Sequence, residues 1–297
     1  TTSVFPYDAR METYLRATRR GAIAELANAN RDLLAADPEV EEEPETYYHR
    51  VIHIDLDALE PHLVGPHSPD LARELSQVPA AVRENNYPAT VSAALVGSCT
   101  NSSYEDIVRA AAVAREALAQ GVRAKVPLLI SPGSEQVYAT IERDGLLATL
   151  NEFGATVLAN ACGPCIGQWQ RDDMPKGTSN SIVSSFNRNF PARNDGNAAT
   201  LSFIGSPETV VAYAIAGTLA VNPIADPIPV DGRTVKLTPP PAAPEVPERG
   251  FEFKAEGYLA PPAKPEHVAV EVKPGSDRLQ LLEPFAPWDG NDYVELP

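Results

Sequence analysis

At 297 residues, with 43% hydrophobic and 22% charged residues, the chain has the length and composition of one large or two ordinary soluble domains. It contains no apolar run approaching the roughly 20 residues that span a bilayer, which argues against a membrane-spanning helix. Its 24 basic and 40 acidic residues give a net charge of -16, a field that repels a phosphate backbone and disfavours nucleic-acid binding.

The opening Thr1-Thr2-Ser3-Val4-Phe5-Pro6 has no initiator Met, signal-peptide pattern or basic transit segment, so it reads as the middle of a longer polypeptide. From residue 8 to residue 36, Met11, Leu15, Ile23, Leu26 and Leu33 mark apolar positions spaced for one or two helices. The acidic, proline-broken run Pro38-Glu39-Val40-Glu41-Glu42-Glu43-Pro44-Glu45 is expected to be a solvated loop. Residues 51–56 alternate in part like a short strand, and the prolines and glycine of residues 60–66 mark a crossing between units.

From about Thr90 the pattern becomes regular. Strand-length apolar runs at 91–96, 126–130, 156–159, 182–185 and 199–204 alternate with helical patterns at 104–119, 134–143, 146–152 and 207–219. Such alternation predicts an α/β fold, a mostly parallel sheet with helices on both faces and its site at the carboxyl ends of the strands. After Asn222 the texture changes, for roughly half of the 29 prolines fall in this last quarter. Pro239-Pro240-Pro241 and Pro261-Pro262 predict an extended, poorly packed linker. The expected division is 1–60, 61–222 and 223–297.

The chain has only 3 cysteines, Cys99, Cys162 and Cys165, a count and spacing that fit a reducing compartment better than a disulfide framework. Cys99 lies in Gly97-Ser98-Cys99-Thr100-Asn101-Ser102, between a predicted strand and a predicted helix, where free backbone N–H groups favour a thiolate. Cys162 and Cys165 lie in Ala161-Cys162-Gly163-Pro164-Cys165-Ile166-Gly167, again after a strand, with glycine and proline making the tight turn that lets two sulfurs face one centre. An electron-transfer iron–sulfur cluster usually takes four thiolates. Three thiolates on four irons would leave one iron open to water and substrate, as a Lewis acid needs. Structural zinc would require a fourth ligand, and none of His49, His53, His62, His67 and His267 falls in the regular strand–helix region. The third element, Ser185-Phe186-Asn187-Arg188-Asn189-Phe190-Pro191-Ala192-Arg193-Asn194, puts two guanidinium groups on a loop closing a strand, suited to bidentate grip on carboxylates or to structural ion pairs.

These elements together resemble the aconitase family, in its mitochondrial-type aconitate hydratases. The resemblance includes Gly97 through Asp106, Ser131-Pro132-Gly133-Ser134-Glu135-Gln136, Ala159 through Trp169, Asn187 through Phe190, Arg278-Leu279-Gln280-Leu281-Leu282 and Trp288-Asp289-Gly290, over essentially the whole chain. It implies that Cys99, Cys162 and Cys165 ligate a [4Fe–4S] cluster, that Arg188 and Arg193 hold substrate carboxylates, and that Asn187 lies beside cluster and ligand. The implied activity interconverts citrate and isocitrate through cis-aconitate in a bacterial cytoplasm or a mitochondrial matrix. It also implies that the catalytic base and other polar groups belong to N- and C-terminal domains outside this chain, so that the chain alone would be inactive. Its three segments would be the end of the family's second domain, its third domain, and the linker toward a fourth. Related isomerases acting on isopropylmalate, homoaconitate or methylcitrate-pathway acids share the cysteine scheme. A non-enzymatic cluster-binding or metal-binding module, including an RNA-binding iron sensor, is a separate class that the acidic charge disfavours.

Overall fold

The computed structural model describes residues 5–230, 232–254, 259–264, 269–285 and 287. Residues 1–4 of the opening, the resemblance at 288–290, and His267 lie outside the described residues. Contacts divide the chain into a body, Thr1–Lys254, and a tail, Ala255–Pro297. The tail forms no helix or strand among its described residues, as its proline content predicts.

The body opens with helices α1 (Ala9–Ala17), α2 (Gly21–Ala29) and α3 (Arg31–Leu34), in which Asp8 caps α1 through the Met11 N–H. The acidic run expected as a loop forms two single-turn helices, α4 (Pro38–Glu42) and α5 (Pro44–Tyr47). Each begins with a proline whose fixed φ is already helical and whose missing N–H is not needed at that position. Among α1–α5 only Ala24 is buried. Residues 51–56, read as a strand, are irregular, with Ile52, Ile54 and Leu56 exposed. Among the described residues no neighbouring strand supplies the ladder that an extended segment needs.

The remaining elements are β1 (His62–Val64), β2 (Ala72–Glu74), α6 (Val78–Glu84), β3 (Val91–Val96), α7 (Tyr104–Ala119), β4 (Leu128–Ile130), α8 (Glu135–Arg143), α9 (Leu146–Phe153), β5 (Ala155–Val157), β6 (Asn180–Ser184), β7 (Thr200–Ile204), α10 (Pro207–Ala216), and a hairpin of β8 (Ile228–Val230) with β9 (Arg233–Val235). The seven-stranded sheet has the order β2-β1-β7-β6-β3-β4-β5. β7, β6, β3, β4 and β5 run parallel, and β1 and β2 form an antiparallel edge. This is the α/β class that the alternating pattern predicts, except that α7, α9 and α10 gather on one face where helices were expected on both.

The two faces of the sheet are covered differently. Ala94, Val96, Leu128, Ile130, Val183 and Phe203 point into a large core shared with α7, α9 and α10. α7 starts at a capping box between Ser103 and Asp106 and buries Ile107, Ala110, Ala111, Ala114 and Ala117, a stripe at helical spacing. On the opposite face Ala93, Leu95 and Ile182 pack with Phe186, Cys165 and the partly buried Trp169. This cover comes from loops and a single 3₁₀ turn, Gly163–Ile166.

The proline-rich segment after Asn222, expected to be poorly packed, packs against the body as far as Lys254. Ile228, Val230, Val235 and Leu237 enter the large core, and the Thr238 N–H and hydroxyl donate to Glu116 at 3.1 and 2.9 Å. Farther on, Arg143 and Arg249 both grip Asp144, and Phe251 meets Tyr14 and Tyr104 edge-on at 6.2 and 6.5 Å. Proline removes a donor but leaves apolar side chains free to be buried, so composition alone overstated the looseness of this stretch.

Candidate metal centre

Chain order explains where the site forms. From β3 the chain builds outward through β4 to β5, then returns to place β6 and β7 on the other side of β3. The loops leaving β3 and β6 therefore diverge, opening a crevice at the carboxyl ends of these neighbours, the position where open α/β sheets hold ligands. Cys99 leaves β3 there, and Asn187, Arg188 and Arg193 leave β6. Cys162 and Cys165 arrive from β5.

The β3 loop is tightly wound. Gly97 has φ +142°, and a Cβ there would lie 2.4 Å from the Ser131 carbonyl oxygen, so only glycine fits. Ser98 is buried in the left-handed region at φ 73°, a conformation that non-glycine residues keep only where neighbours enforce it. Those neighbours are visible. The Ser102 hydroxyl donates to the Ser98 carbonyl, the Gly97 N–H donates to Ser185 Oγ at 2.9 Å, and Asn101 Nδ2 donates to the Ser185 carbonyl. The turn thus fastens the start of α7 to the end of β6 and leaves Cys99 exposed at its tip.

All three cysteines line one cavity of about 100 Å³, together with Ser98, Pro132, Gly133, Asn160 and Ala161. Cys162 is exposed and Cys165 buried. Burial pushes the Cys165 thiol pKa up, while the Arg193 guanidinium, hydrogen-bonded to it, acts in the opposite direction. Asn187 bridges the two cysteine loops, donating from Nδ2 to Thr100 Oγ1 at 3.1 Å and accepting a long contact from Cys165 Sγ at 3.9 Å. Arg193 lies over the Phe190 ring at 5.1 Å, and its buried Nε has no partner. Arg188 is exposed, with no ion pair or hydrogen bond among the described residues. The structure thus brings together the three cysteines, Asn187 and Arg193, and leaves Arg188 on the same loop without a contact to them.

Other groups at the site were not singled out from the sequence. Asn160 donates to Glu135 Oε2 at 2.6 Å across the cavity rim, and the buried Asn194 donates to the Pro164 carbonyl at 3.2 Å inside the Cys-x-x-Cys turn. Asn194 stands in Arg193-Asn194-Asp195-Gly196, a composition that reads as an ordinary turn.

The donor set suits a cluster better than one ion. No three His, Cys, Asp or Glu side chains among the described residues are arranged to hold a single metal ion. In a four-iron cluster each thiolate takes a different iron, so sulfurs that share a cavity without converging on one point fit it. Soft thiolate donors suit zinc, copper(I) or an iron–sulfur cluster, and an adjacent guanidinium offsets part of their charge.

The chain is 51% identical to the mitochondrial aconitate hydratase of Saccharomyces cerevisiae, 50% to that of Gracilaria gracilis, and 49% to a probable mitochondrial aconitate hydratase of Dictyostelium discoideum. Each match covers 100% of this chain but only 37–38% of the relative, so the chain spans well under half the length of these proteins. Residues 1–217 match the aconitase family (aconitate hydratase), and the chain belongs to that family.

Proposed function

We propose that this chain is the cluster-bearing part of an aconitate hydratase acting on citrate, cis-aconitate and isocitrate. The observation that carries the reading is the single cavity that gathers Cys99 from one strand end with Cys162 and Cys165 from another. In this reading the three thiolates hold a [4Fe–4S] cluster, which when bound supplies a Lewis acid through an iron that lacks a thiolate.

The chain's own residues then bind and orient. Arg188 and Arg193 grip substrate carboxylates, a task suited to a planar, permanently charged fork. The free Nε of Arg193, and the guanidinium of Arg188 with no partner among the described residues, are donors available for that task. Asn187, already hydrogen-bonded to Thr100, keeps the substrate side of the crevice polar and holds the two cysteine loops in register. Fixing the carbon skeleton before the C–O bond breaks removes orientational freedom that a reaction in water must lose. The base that moves the carbon-bound proton belongs to parts of the longer protein outside this chain, so the isolated chain binds the cluster but does not turn over.

The proposed division is residues 1–60 as the end of one α/β domain, 61–222 as the cluster domain and 223–297 as the connection onward. The partners are accordingly the substrate and those further domains, with no nucleic acid. Three cysteines without a disulfide framework support a reducing compartment, a bacterial cytoplasm or the mitochondrial matrix, the latter in keeping with the relatives' names. The test is EPR after anaerobic reconstitution with iron and sulfide and mild oxidation. A [3Fe–4S] signal that disappears when ferrous iron is restored supports the open iron site. Retention of zinc in place of a cluster refutes it.

A further inference from the structure

The face of the sheet that carries the cysteines lacks covering helices beyond one 3₁₀ turn, so two long return segments lie against it. One, residues 158–179, brings the chain from β5 to β6 and contains Cys162 and Cys165; the other, residues 185–199, runs from β6 to β7 and contains Arg188 and Arg193. A helix would satisfy its own backbone groups, whereas these segments combine scattered backbone hydrogen bonds with side-chain contacts.

Near the cavity the two segments touch through Asn194 and the Pro164 carbonyl, and a Cβ at Gly167 would lie 3.2 Å from the Arg193 carbonyl oxygen. At the far end they meet through an ion pair. Arg171 Nη1 lies 3.8 Å from Asp195 Oδ2, with the two side chains only 3% and 2% exposed. The same guanidinium nitrogen donates to Ser92 Oγ at 3.2 Å and Asn180 Oδ1 at 3.1 Å, so Arg171 is anchored to β3 and β6. Asp195 accepts from Thr200 Oγ1 at 2.7 Å, anchoring it to β7. Between Arg171 and the site stands Trp169, whose ring faces the guanidinium at 4.8 Å and packs in the same apolar cluster as Cys165.

We infer that Arg171 and Asp195 are positioning residues for the candidate centre. Their buried pair bolts the cysteine-bearing segment to the arginine-bearing segment and so fixes Cys165 against Arg193. Neither residue reaches the cavity itself. The inference deepens the proposed function, because the distance it sets is that between a cluster ligand and a carboxylate-binding arginine.

The test reads thiol reactivity in the full chain before any iron is supplied. Cys165 and Cys99 are alkylated with iodoacetamide and their rates obtained by mass spectrometry, with the exposed Cys99 as internal reference. Asp195→Asn removes the buried carboxylate that ties Arg171 to the second segment and leaves the guanidinium paired only with Asp173 of its own segment, at 2.8 Å, and we expect the Cys165 to Cys99 rate ratio to rise severalfold as the segment opens locally. Arg171→Lys retains the charge but loses the planar fork, so its ratio should rise less. Asp173→Asn removes a partner of Arg171 that is 62% exposed, and should leave the ratio at the parental value. A ratio raised in either buried-pair variant, with Asp173→Asn unchanged, supports the bolt. An unchanged ratio in both, including the case where the two cysteines accelerate together, overturns it. Because alkylation needs no cluster, failure of the parent to assemble one would refute the proposed function and leave this test standing.

Discussion

Replacing Gly97 by alanine should loosen the site and the strand ends together. The added Cβ would sit 2.4 Å from the Ser131 carbonyl oxygen and 3.0 Å from the Ser131 amide nitrogen, backbone atoms that cannot rotate away. Relief requires the ends of β3 and β4 to separate, at the point where the Ser131 N–H donates to the Val96 carbonyl at 2.9 Å. Holding a non-glycine residue at φ +142° costs about 1–3 kcal/mol, and losing one backbone hydrogen bond about 1 kcal/mol more. The expected loss of about 2–4 kcal/mol is a large share of the roughly 5–15 kcal/mol that stabilises a domain, and corresponds to a melting point lower by about 4–16 °C. Thermal and urea unfolding measure it, and iron and sulfide analysis after reconstitution should show weaker loading, since Cys99 is two residues away. Gly145→Ala is the control. It also has positive φ but meets nothing within 4 Å, so it should cost only about 1 kcal/mol. Equal effects of the two substitutions would refute the steric reasoning.

Asp144 is held at about 2, below its ordinary 3.8, chiefly by its hydrogen bond to Arg143. A depressed carboxyl pKa adds stability above pH 4 that is lost as pH falls through 2, so Asp144→Asn should destabilise by about 1–2 kcal/mol at pH 7 after allowance for solvent screening. In urea titrations that deficit should shrink steadily below pH 4; a deficit independent of pH would contradict it. Ser103→Ala removes the cap of α7 and should cost about 1 kcal/mol in the same assay, with a parental midpoint as the contrary result. Arg188→Gln should leave the unfolding midpoint within about 0.5 kcal/mol of the parent, because no partner in the described body depends on it. In the reconstituted longer protein it should weaken citrate binding by about 1.5–3 kcal/mol, as seen by calorimetry, and undiminished affinity would remove Arg188 from the substrate site.

The parallel core was legible in the sequence because its signals were local and redundant. β3 is an apolar run closed by glycine, and α7 carries both a capping box and a helical stripe, so residues 91–96 and 104–119 were read with the bounds they have. Partner-dependent elements were misread or unread. Residues 51–56 alternate correctly but find no ladder, whereas His62–Val64 and Ala72–Glu74, each 3 residues long, form strands because they find one another. The β8–β9 hairpin was hidden in a proline-rich stretch, since composition reports the missing donors and not the buried Ile228 and Val235.

The same division runs through the site. Cysteine and arginine announce their chemistry wherever they occur, so Cys99, Cys162, Cys165, Arg188 and Arg193 could be picked from motif alone. Asn194, Arg171 and Asp195 carry no such signal, for an Arg-Asp-Asp run and an Asn-Asp-Gly run read as surface and turn in an acidic chain. Their role comes from burial, which depends on two segments crossing the same face of the sheet. That crossing follows from chain order, because a chain that returns past β3 to add β6 and β7 must lay its connections over the face that lacks α7, α9 and α10. The residues that hold a functional group are therefore specified at the level of topology, one step above the level at which the group itself is written.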